Sequence, residues 1–223
     1  MTWFALITLG GIVALDATSL GQLMLSRPFV AGTFAGALVG MPLEGALVGA
    51  LLEALSLGIL PVGAARYPDT GTGAVAAVGT LGLSGVEPTA PALLLVVVYG
   101  LLWQRIAGAS VVGGRYLNER LVRAGRTGER PRMDRLIEHR HLESIVIDMA
   151  RGVAITSVAL LGALVLPFAV ARWALPGIAA ALAVSLATAA VLAGTAPLFA
   201  DSRRARLALA LGIAFGSLLA MSL

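Results

Sequence analysis

Four acidic side chains stand inside apolar stretches of the 223-residue sequence, where a charge is costly unless it is paired or hydrated. They are Asp16, Glu44, Glu53 and Asp69. A charge at the centre of a bilayer costs about 2.5–3.5 kcal/mol on insertion scales, so each acid is expected to face protein or water. Carboxylates accept several hydrogen bonds, which suits a neutral ligand rich in hydroxyl groups. These acids are therefore the first candidates for a buried binding site.

Glu53 is the most isolated acid, because no other charged residue lies within eight positions of it. It is expected to be either a hydroxyl acceptor or coupling group in a central cavity, or a structural ion-pair partner. Asp69 lies between Pro68, which is expected to end one helix, and Thr70, where the next begins. Asp69 can cap that helix or contribute to a site built on unwound backbone.

Asp16 is expected to lie on a helix with Ser19 and Gln22 on a related face, three and six positions further on. These side chains can line a polar cavity with Asp16 and Gln22 as substrate ligands, or Asp16 can form polar contacts between helices. Glu44 follows Pro42 and can be a first-turn acid that favours a helix N-terminus. A structural role is expected for Glu44.

Two arginines, Arg27 and Arg66, lie close in sequence to these acids and are their expected ion-pair partners. Arg27 can also anchor a helix end, with its guanidinium at the membrane surface. His139 and His141 lie in an arginine-rich segment and are expected to be surface residues rather than phosphate acceptors. The sequence contains no cysteine and no Walker motif. No catalytic residue, metal site or cofactor is predicted.

The composition supports a membrane protein. Hydrophobic residues make up 58% of the chain and charged residues 13%, against about 25% charged in a typical soluble domain. This excludes an ordinary soluble enzyme, a nucleic-acid-binding module and a disordered chain. All 16 basic residues are arginine, and ten of them lie from Arg105 to Arg151. A cytoplasmic segment that follows the positive-inside rule explains this cluster without a nucleic-acid partner.

The apolar pattern predicts an all-α polytopic membrane protein with about six to eight transmembrane or re-entrant helices. Four stretches have the roughly 20 residues that a spanning helix needs: 3–25, 90–112, 148–170 and 174–199. A fifth stretch, 205–222, is short but adequate. The stretch 29–60 is too long for one span and is interrupted at Gly40-Met41-Pro42, so two half-length helices are expected there. The glycine-rich stretch 71–86 is similarly short.

The chain is expected to divide into three regions: an N-terminal membrane region with broken helices and the substrate site (1–112), a cytoplasmic arginine-rich segment (113–147), and C-terminal transmembrane helices (148–223). The arginine-rich segment is predicted to form two short amphipathic helices on the membrane surface, or else a solvated loop. The topology before residue 90 stays open at this point.

Several short motifs in residues 10–85 together resemble the mannose/fructose/sorbose family of phosphotransferase-system IIC subunits. They are Arg27-Pro28 within 21–32, the Gly36–Gly40 pair, Leu52-Glu53, the segment Gly58–Ala65 and Pro68-Asp69. The resemblance implies a sugar-translocating subunit of the bacterial plasma membrane that takes a hexose. It also implies a IID membrane partner, a trimeric assembly and cytoplasmic IIB and IIA subunits, with phosphoryl transfer carried out by IIB rather than by this chain.

The resemblance assigns substrate roles to Glu53 and Asp69 and a structural role to Arg27. The chain departs from the family at Gly40-Met41, where a Gly-Asp pair is usual and Glu44 is a candidate substitute, and it is about one hydrophobic segment shorter. Two alternative functions stay open: a membrane scaffold that docks a partner through the arginine-rich segment, and an ion-coupled transporter that uses Asp16, Glu53 or Asp69.

Overall fold

The computed structural model describes residues 1–57, 67–125 and 130–172, together with residues 203, 207, 210 and 211. The predicted spans 174–199 and 205–222 and the side chain of Arg66 therefore lie largely or wholly outside the described residues. Within the described residues the fold is all-α, as predicted, with seven α-helices and no strand. The helices are α1 (Thr2–Thr18), α2 (Pro28–Val39), α3 (Pro42–Ser56), α4 (Thr70–Ser84), α5 (Ala90–Gly125), α6 (Arg130–Leu160) and α7 (Leu166–Arg172), with a 3₁₀ turn (Leu161–Leu164) before α7.

Helix α4 lies at the centre of the fold, and every residue from Gly71 to Leu81 is buried. Its small side chains let the other helices approach closely. The buried residues that form the core with it come from α1, α2, α3, α5, α6 and α7. A 15-residue helix is about 22 Å long, at 1.5 Å per residue, which is shorter than a hydrocarbon core of about 30 Å.

Helices α2 and α3 form a tight hairpin around Gly40 and Met41. Gly40 has a positive φ of 79° at the end of α2, a conformation that favours glycine. Proline stands at the first position of α3, where its missing N–H is not needed. The two half-length helices expected in 29–60 are thus present, while their re-entrant placement in the membrane and the total of six to eight spans stay predictions.

The α2–α3 hairpin depends on backbone contact between glycines. A Cβ added to Gly45 would overlap the carbonyl oxygen of Gly32 and lie 2.8 Å from the Cα of Gly36. A Cβ added to Gly49 would overlap the carbonyl oxygen of Pro28. Small residues that allow such contact are the usual basis of helix packing in membranes, where lipid is as apolar as leucine.

Among the described residues, two helices are long and apolar enough to cross a membrane, over Ala90–Leu117 and His141–Leu164. Both continue past the apolar window into the arginine-rich segment, because α5 extends to Gly125 and α6 begins at Arg130. The prediction of two separate short amphipathic helices was therefore wrong. Charged i,i+4 neighbours such as Glu119 and Arg123 support helix continuation after the apolar residues end.

Helix α1 is shorter than the apolar stretch 3–25 predicted. It ends at Thr18, and Gly21, Gln22 and Met24 all have positive φ values. Gln22 therefore lies in a loop, and the prediction that it shares a helix face with Asp16 was wrong. Hydropathy alone could not locate this end, because Leu20 and Leu23 continue the apolar pattern.

Substitution of Gly45 by alanine is expected to destabilise the protein, because the new methyl group would collide with the backbone of α2. Overpacking of this kind typically costs about 1–3 kcal/mol. The measurement is thermal unfolding of the detergent-solubilised protein, with Gly113→Ala as the control. Gly113 is also helical, but nothing lies within 4 Å of an added Cβ there. Equal melting temperatures for the two variants would contradict the hairpin packing.

Candidate functional site

The segments where the helices are interrupted converge on one cavity of about 300 Å³, which we call the substrate cavity because we propose that role for it. Its walls come from the end of α1, the start of α2, the end of α3, the residues that precede α4, and one residue of α5. They are Ala17, Thr18, Ser26, Arg27, Pro28, Glu53, Ser56, Leu57, Tyr67, Pro68, Asp69, Thr70 and Val111. Three sequence-predicted residues, Arg27, Glu53 and Asp69, are therefore brought to the same cavity.

Glu53 connects α3 to the first turn of α2. One carboxylate oxygen, Oε2, accepts a hydrogen bond of 3.0 Å from the backbone N–H of Phe29. The other oxygen, Oε1, lies 3.9 Å from Nη1 of Arg27. The Glu53 side chain is 28% exposed, so its carboxylate keeps access to the cavity. Each oxygen accepts more than one hydrogen bond, which leaves capacity for a ligand.

Asp16 is buried and organises the loop between α1 and α2. Its Oδ1 accepts a hydrogen bond of 2.5 Å from the N–H of Leu23, and its Oδ2 accepts one of 2.8 Å from the N–H of Ser26. Gln22 is exposed on this loop and does not line the substrate cavity. Asp16 thus supports the position of Ser26, while substrate binding by Asp16 and Gln22 stays a prediction.

Asp69 is the N-cap of α4 and also part of a buried ion pair. Its Oδ1 accepts a hydrogen bond of 3.2 Å from the N–H of Thr72. Its Oδ2 lies 3.3 Å from Nη1 of Arg151 on α6, and the two side chains are only 2% and 8% exposed. Its backbone N–H also donates to the carbonyl of Gln104 on α5. These contacts hold the residues before α4 against helices α5 and α6.

Arg151 bridges Asp69 to a second buried acid, Asp148. Nε of Arg151 lies 3.4 Å from Oδ1 of Asp148, one helical turn earlier on α6. The other Asp148 oxygen accepts hydrogen bonds from the hydroxyls of Thr18, at 3.1 Å, and Ser19. This network of Asp69, Asp148 and Arg151 therefore ties α4 and α6 to the end of α1.

Two glycines let the segments that precede α2 and α4 pack closely against helices. A Cβ added to Gly71 would overlap the carbonyl oxygen of Ser26, and one added to Gly108 would overlap the carbonyl oxygen of Tyr67. Any larger residue would push these segments apart, so the shape of the substrate cavity depends on both glycines.

Glu44 and Arg66 are not part of this arrangement as described. Glu44 lies in the first turn of α3, at the other end of that helix from Glu53, and does not line the substrate cavity. Arg66 falls outside the described residues, so its predicted ion pair stays a prediction. Among the described residues, no group of three or more His, Cys, Asp or Glu side chains could hold a metal ion.

Sequence reasoning missed Asp148 and Arg151. Arg151 was counted with the arginine-rich segment, although it stands beyond its end, next to an apolar stretch. The available signal was the spacing: an acid and an arginine three positions apart share a helix face and can pair within it. The contact with Asp69 carried no local signal, since 82 positions separate the two residues.

Comparisons with known proteins support the prediction that this chain is a membrane protein. The model of the family described as the PTS system sorbose-specific IIC component matches residues 1–138. A solved structure titled "Structure of membrane protein" is similar, with a TM-score of 0.72, 15% sequence identity, and coverage of 99% of this chain and 90% of that chain. At this identity the likeness shows the fold alone. No curated protein matches the chain.

Replacement of Arg151 by leucine is expected to destabilise the protein strongly, because Asp69 and Asp148 would be left buried without a counter-charge. Breaking a buried ion pair in this way costs about 3–5 kcal/mol. The measurement is again thermal unfolding in detergent, and Arg123→Leu is the control. Arg123 pairs with Glu119 at the surface, where both side chains are more than half exposed, so its loss is expected to change the melting temperature little.

A double variant separates the ion pair from general packing. Asp69→Asn keeps the cap on α4, since asparagine is also a good N-cap, but removes the charge that faces Arg151. Destabilisation by Arg151→Leu is expected to be smaller in the Asp69→Asn background than in the wild type. Strictly additive effects would show that the two charges are not coupled.

Proposed function

The chain belongs to the family of sorbose-specific IIC components of the phosphotransferase system (PTS), which are membrane subunits for sugar transport, and we propose that it moves a hexose by alternating access. The hexose would be bound in the substrate cavity and delivered to the cytoplasmic side, where a IIB partner phosphorylates it. In this proposal the chain performs transport, and the partner performs the chemical step.

The observation that carries the proposal is the polar lining of the substrate cavity. Glu53 offers a partly exposed carboxylate, and the hydroxyls of Ser26 and Tyr67 can each donate or accept a hydrogen bond. The Ser56 hydroxyl donates to the carbonyl of Leu52 and can accept a hydrogen bond from a ligand. A volume of about 300 Å³ lies at the lower end of the range of about 300–1,000 Å³ for small-molecule pockets. A hexose presents hydroxyls on all sides, which matches a lining of this kind.

Glu53 is the proposed principal ligand, and Asp69 has a supporting role. Both oxygens of Asp69 already have protein partners, Thr72 and Arg151, and the side chain is 2% exposed. Its contribution to the substrate is therefore to fix the position of Tyr67 and Thr70 at the cavity wall. Arg27 holds the Glu53 carboxylate from the other side.

The position of the cavity suits alternating access. One wall is the α2–α3 hairpin, which carries Arg27, Glu53 and Ser56; the opposite wall includes Asp69 and Val111. The Asp69–Arg151–Asp148 network holds the opposite wall together. The described ion pair of the hairpin, Arg27–Glu53, lies within the hairpin region and does not connect it to that wall. A shift of the hairpin relative to this wall would change access to the cavity.

The proposal includes the partners that belong to a PTS. We infer a IID membrane subunit beside this chain in a trimeric assembly, and cytoplasmic IIB and IIA subunits that supply the phosphoryl group. The arginine-rich ends of α5 and α6 would lie on the cytoplasmic side, in keeping with the positive-inside rule.

Replacement of Glu53 by glutamine is expected to reduce hexose uptake by about tenfold or more, since a charge-assisted hydrogen bond to substrate is replaced by a neutral one. Glutamine keeps an oxygen that can accept from the N–H of Phe29, so α2 stays capped. The measurement is uptake and phosphorylation of mannose, fructose and sorbose in membranes that contain all partner subunits.

Glu44→Gln is the matched control, because it removes the same charge from the same helix away from the cavity. Its uptake is expected to stay within about twofold of the wild type. If Glu53→Gln also transported at the wild-type rate, the assignment of Glu53 as the principal ligand would be wrong.

A further inference from the structure

A second cavity of about 300 Å³ adjoins the substrate cavity on the side of the arginine-rich helix ends. The two cavities share Thr18, Tyr67 and Val111 as lining residues, so these side chains separate them. The remaining lining of the second cavity is Ser19, Gly114, Arg115, His141, Ser144 and Asp148. The charged and titratable lining of the second cavity includes Arg115, His141 and Asp148, whereas that of the substrate cavity includes Arg27, Glu53 and Asp69.

Arg115 stands at the boundary between the two cavities and packs on Tyr67. Its Nη2 donates a hydrogen bond of 3.0 Å to the Tyr67 hydroxyl. Its guanidinium carbon lies 5.3 Å from the centroid of the Tyr67 ring, a cation–π arrangement. A guanidinium has five N–H donors, so this contact orients Arg115 and leaves donors for a ligand. Within the described part of the chain, Arg115 has no ion-pair partner.

The carboxylate of the second cavity is already satisfied by protein. Asp148 is paired through Oδ1 with Nε of Arg151, at 3.4 Å. Its Oδ2 accepts hydrogen bonds from Thr18 and Ser19. Both oxygens of Asp148 thus have protein partners, although the network holds two carboxylates and a single arginine. Arg115 keeps guanidinium donors that are available to a ligand in the cavity. His141 is exposed on the same lining.

We propose that the second cavity binds the phosphoryl group of the phosphorylated sugar, with Arg115 as the residue that contacts it. This inference rests on the proposed function, because it concerns the product that the partner makes from the transported hexose. A guanidinium fork matches the oxygens of a phosphate monoester and forms strong charge-assisted hydrogen bonds with it. A neutral hexose lacks the negative charge that pairs with the guanidinium, so the two adjoining cavities suit the sugar before and after phosphorylation.

The test is phosphate binding to the full chain in complex with its membrane partner, in phosphatidylcholine nanodiscs, by calorimetric titration. Inorganic phosphate is the first probe, and the phosphate ester of the hexose taken up in the transport assay is the second. Arg115→Gln is expected to weaken binding of both probes by about tenfold or more, which is the loss of a charge-assisted contact. Affinity for the unphosphorylated hexose is expected to stay within about twofold.

Two further variants make the result specific. Arg105→Gln removes an exposed arginine from the same helix away from both cavities and is expected to leave phosphate affinity unchanged. Arg115→Lys keeps the charge without the fork, so its phosphate affinity is expected to fall between the wild type and Arg115→Gln. It also serves as the test variant if Arg115→Gln fails to fold.

Three results would overturn the inference: no phosphate binding by the wild type, equal phosphate affinity in all variants, or loss of phosphate binding when phosphatidylglycerol is added to the nanodiscs. The last result would assign the cavity to a lipid headgroup. These outcomes are distinct from failure of the proposed function, which appears as hexose uptake that does not depend on Glu53. Phosphate binding that depends on Arg115 and is insensitive to phosphatidylglycerol supports the inference.

Discussion

A buried arginine between two carboxylates constrains the position of the residues that precede α4. Arg151 contacts Asp69 at 3.3 Å and Asp148 at 3.4 Å, and none of the three side chains is more than one-tenth exposed. An unpaired charge in such surroundings would be costly, so the helices that carry these residues must stay together. Oδ2 of Asp148 also accepts a hydrogen bond from Thr18 at the end of α1. The wall of the substrate cavity opposite the α2–α3 hairpin is therefore held in place by buried charged groups.

The acids that look misplaced in an apolar sequence share a second physical task. Interrupted helices expose backbone N–H groups, and in a membrane those groups need internal partners. Asp16 accepts from the N–H groups of Leu23 and Ser26, Glu53 from that of Phe29, and Asp69 from that of Thr72. Carboxylates stabilise the segments where the helices are interrupted, so the cavity where these segments meet is polar. Glu53 differs from the other two because its carboxylate remains partly exposed.

Local signals in the sequence predict part of this arrangement. Proline and glycine at 40–42 predict the break between α2 and α3, and Pro68-Asp69 predicts the cap of α4, because these effects depend on adjacent residues. The end of α1 was not predictable from hydropathy, since the loop after Thr18 is itself apolar. The pairing of Asp69 with Arg151 was not predictable either, since it depends on tertiary packing of α4 against α6.

The proposed sugar site is the cavity where the interrupted helices meet. Its most direct test is an experimental structure of the complete membrane complex with the transported hexose bound. Density for the sugar is expected between α3 and the residues before α4, with hydroxyls within hydrogen-bonding distance of the Glu53 carboxylate and of Ser56 or Tyr67. A hexose bound elsewhere in the complex, with Glu53 in contact only with Arg27 and the N–H of Phe29, would contradict it.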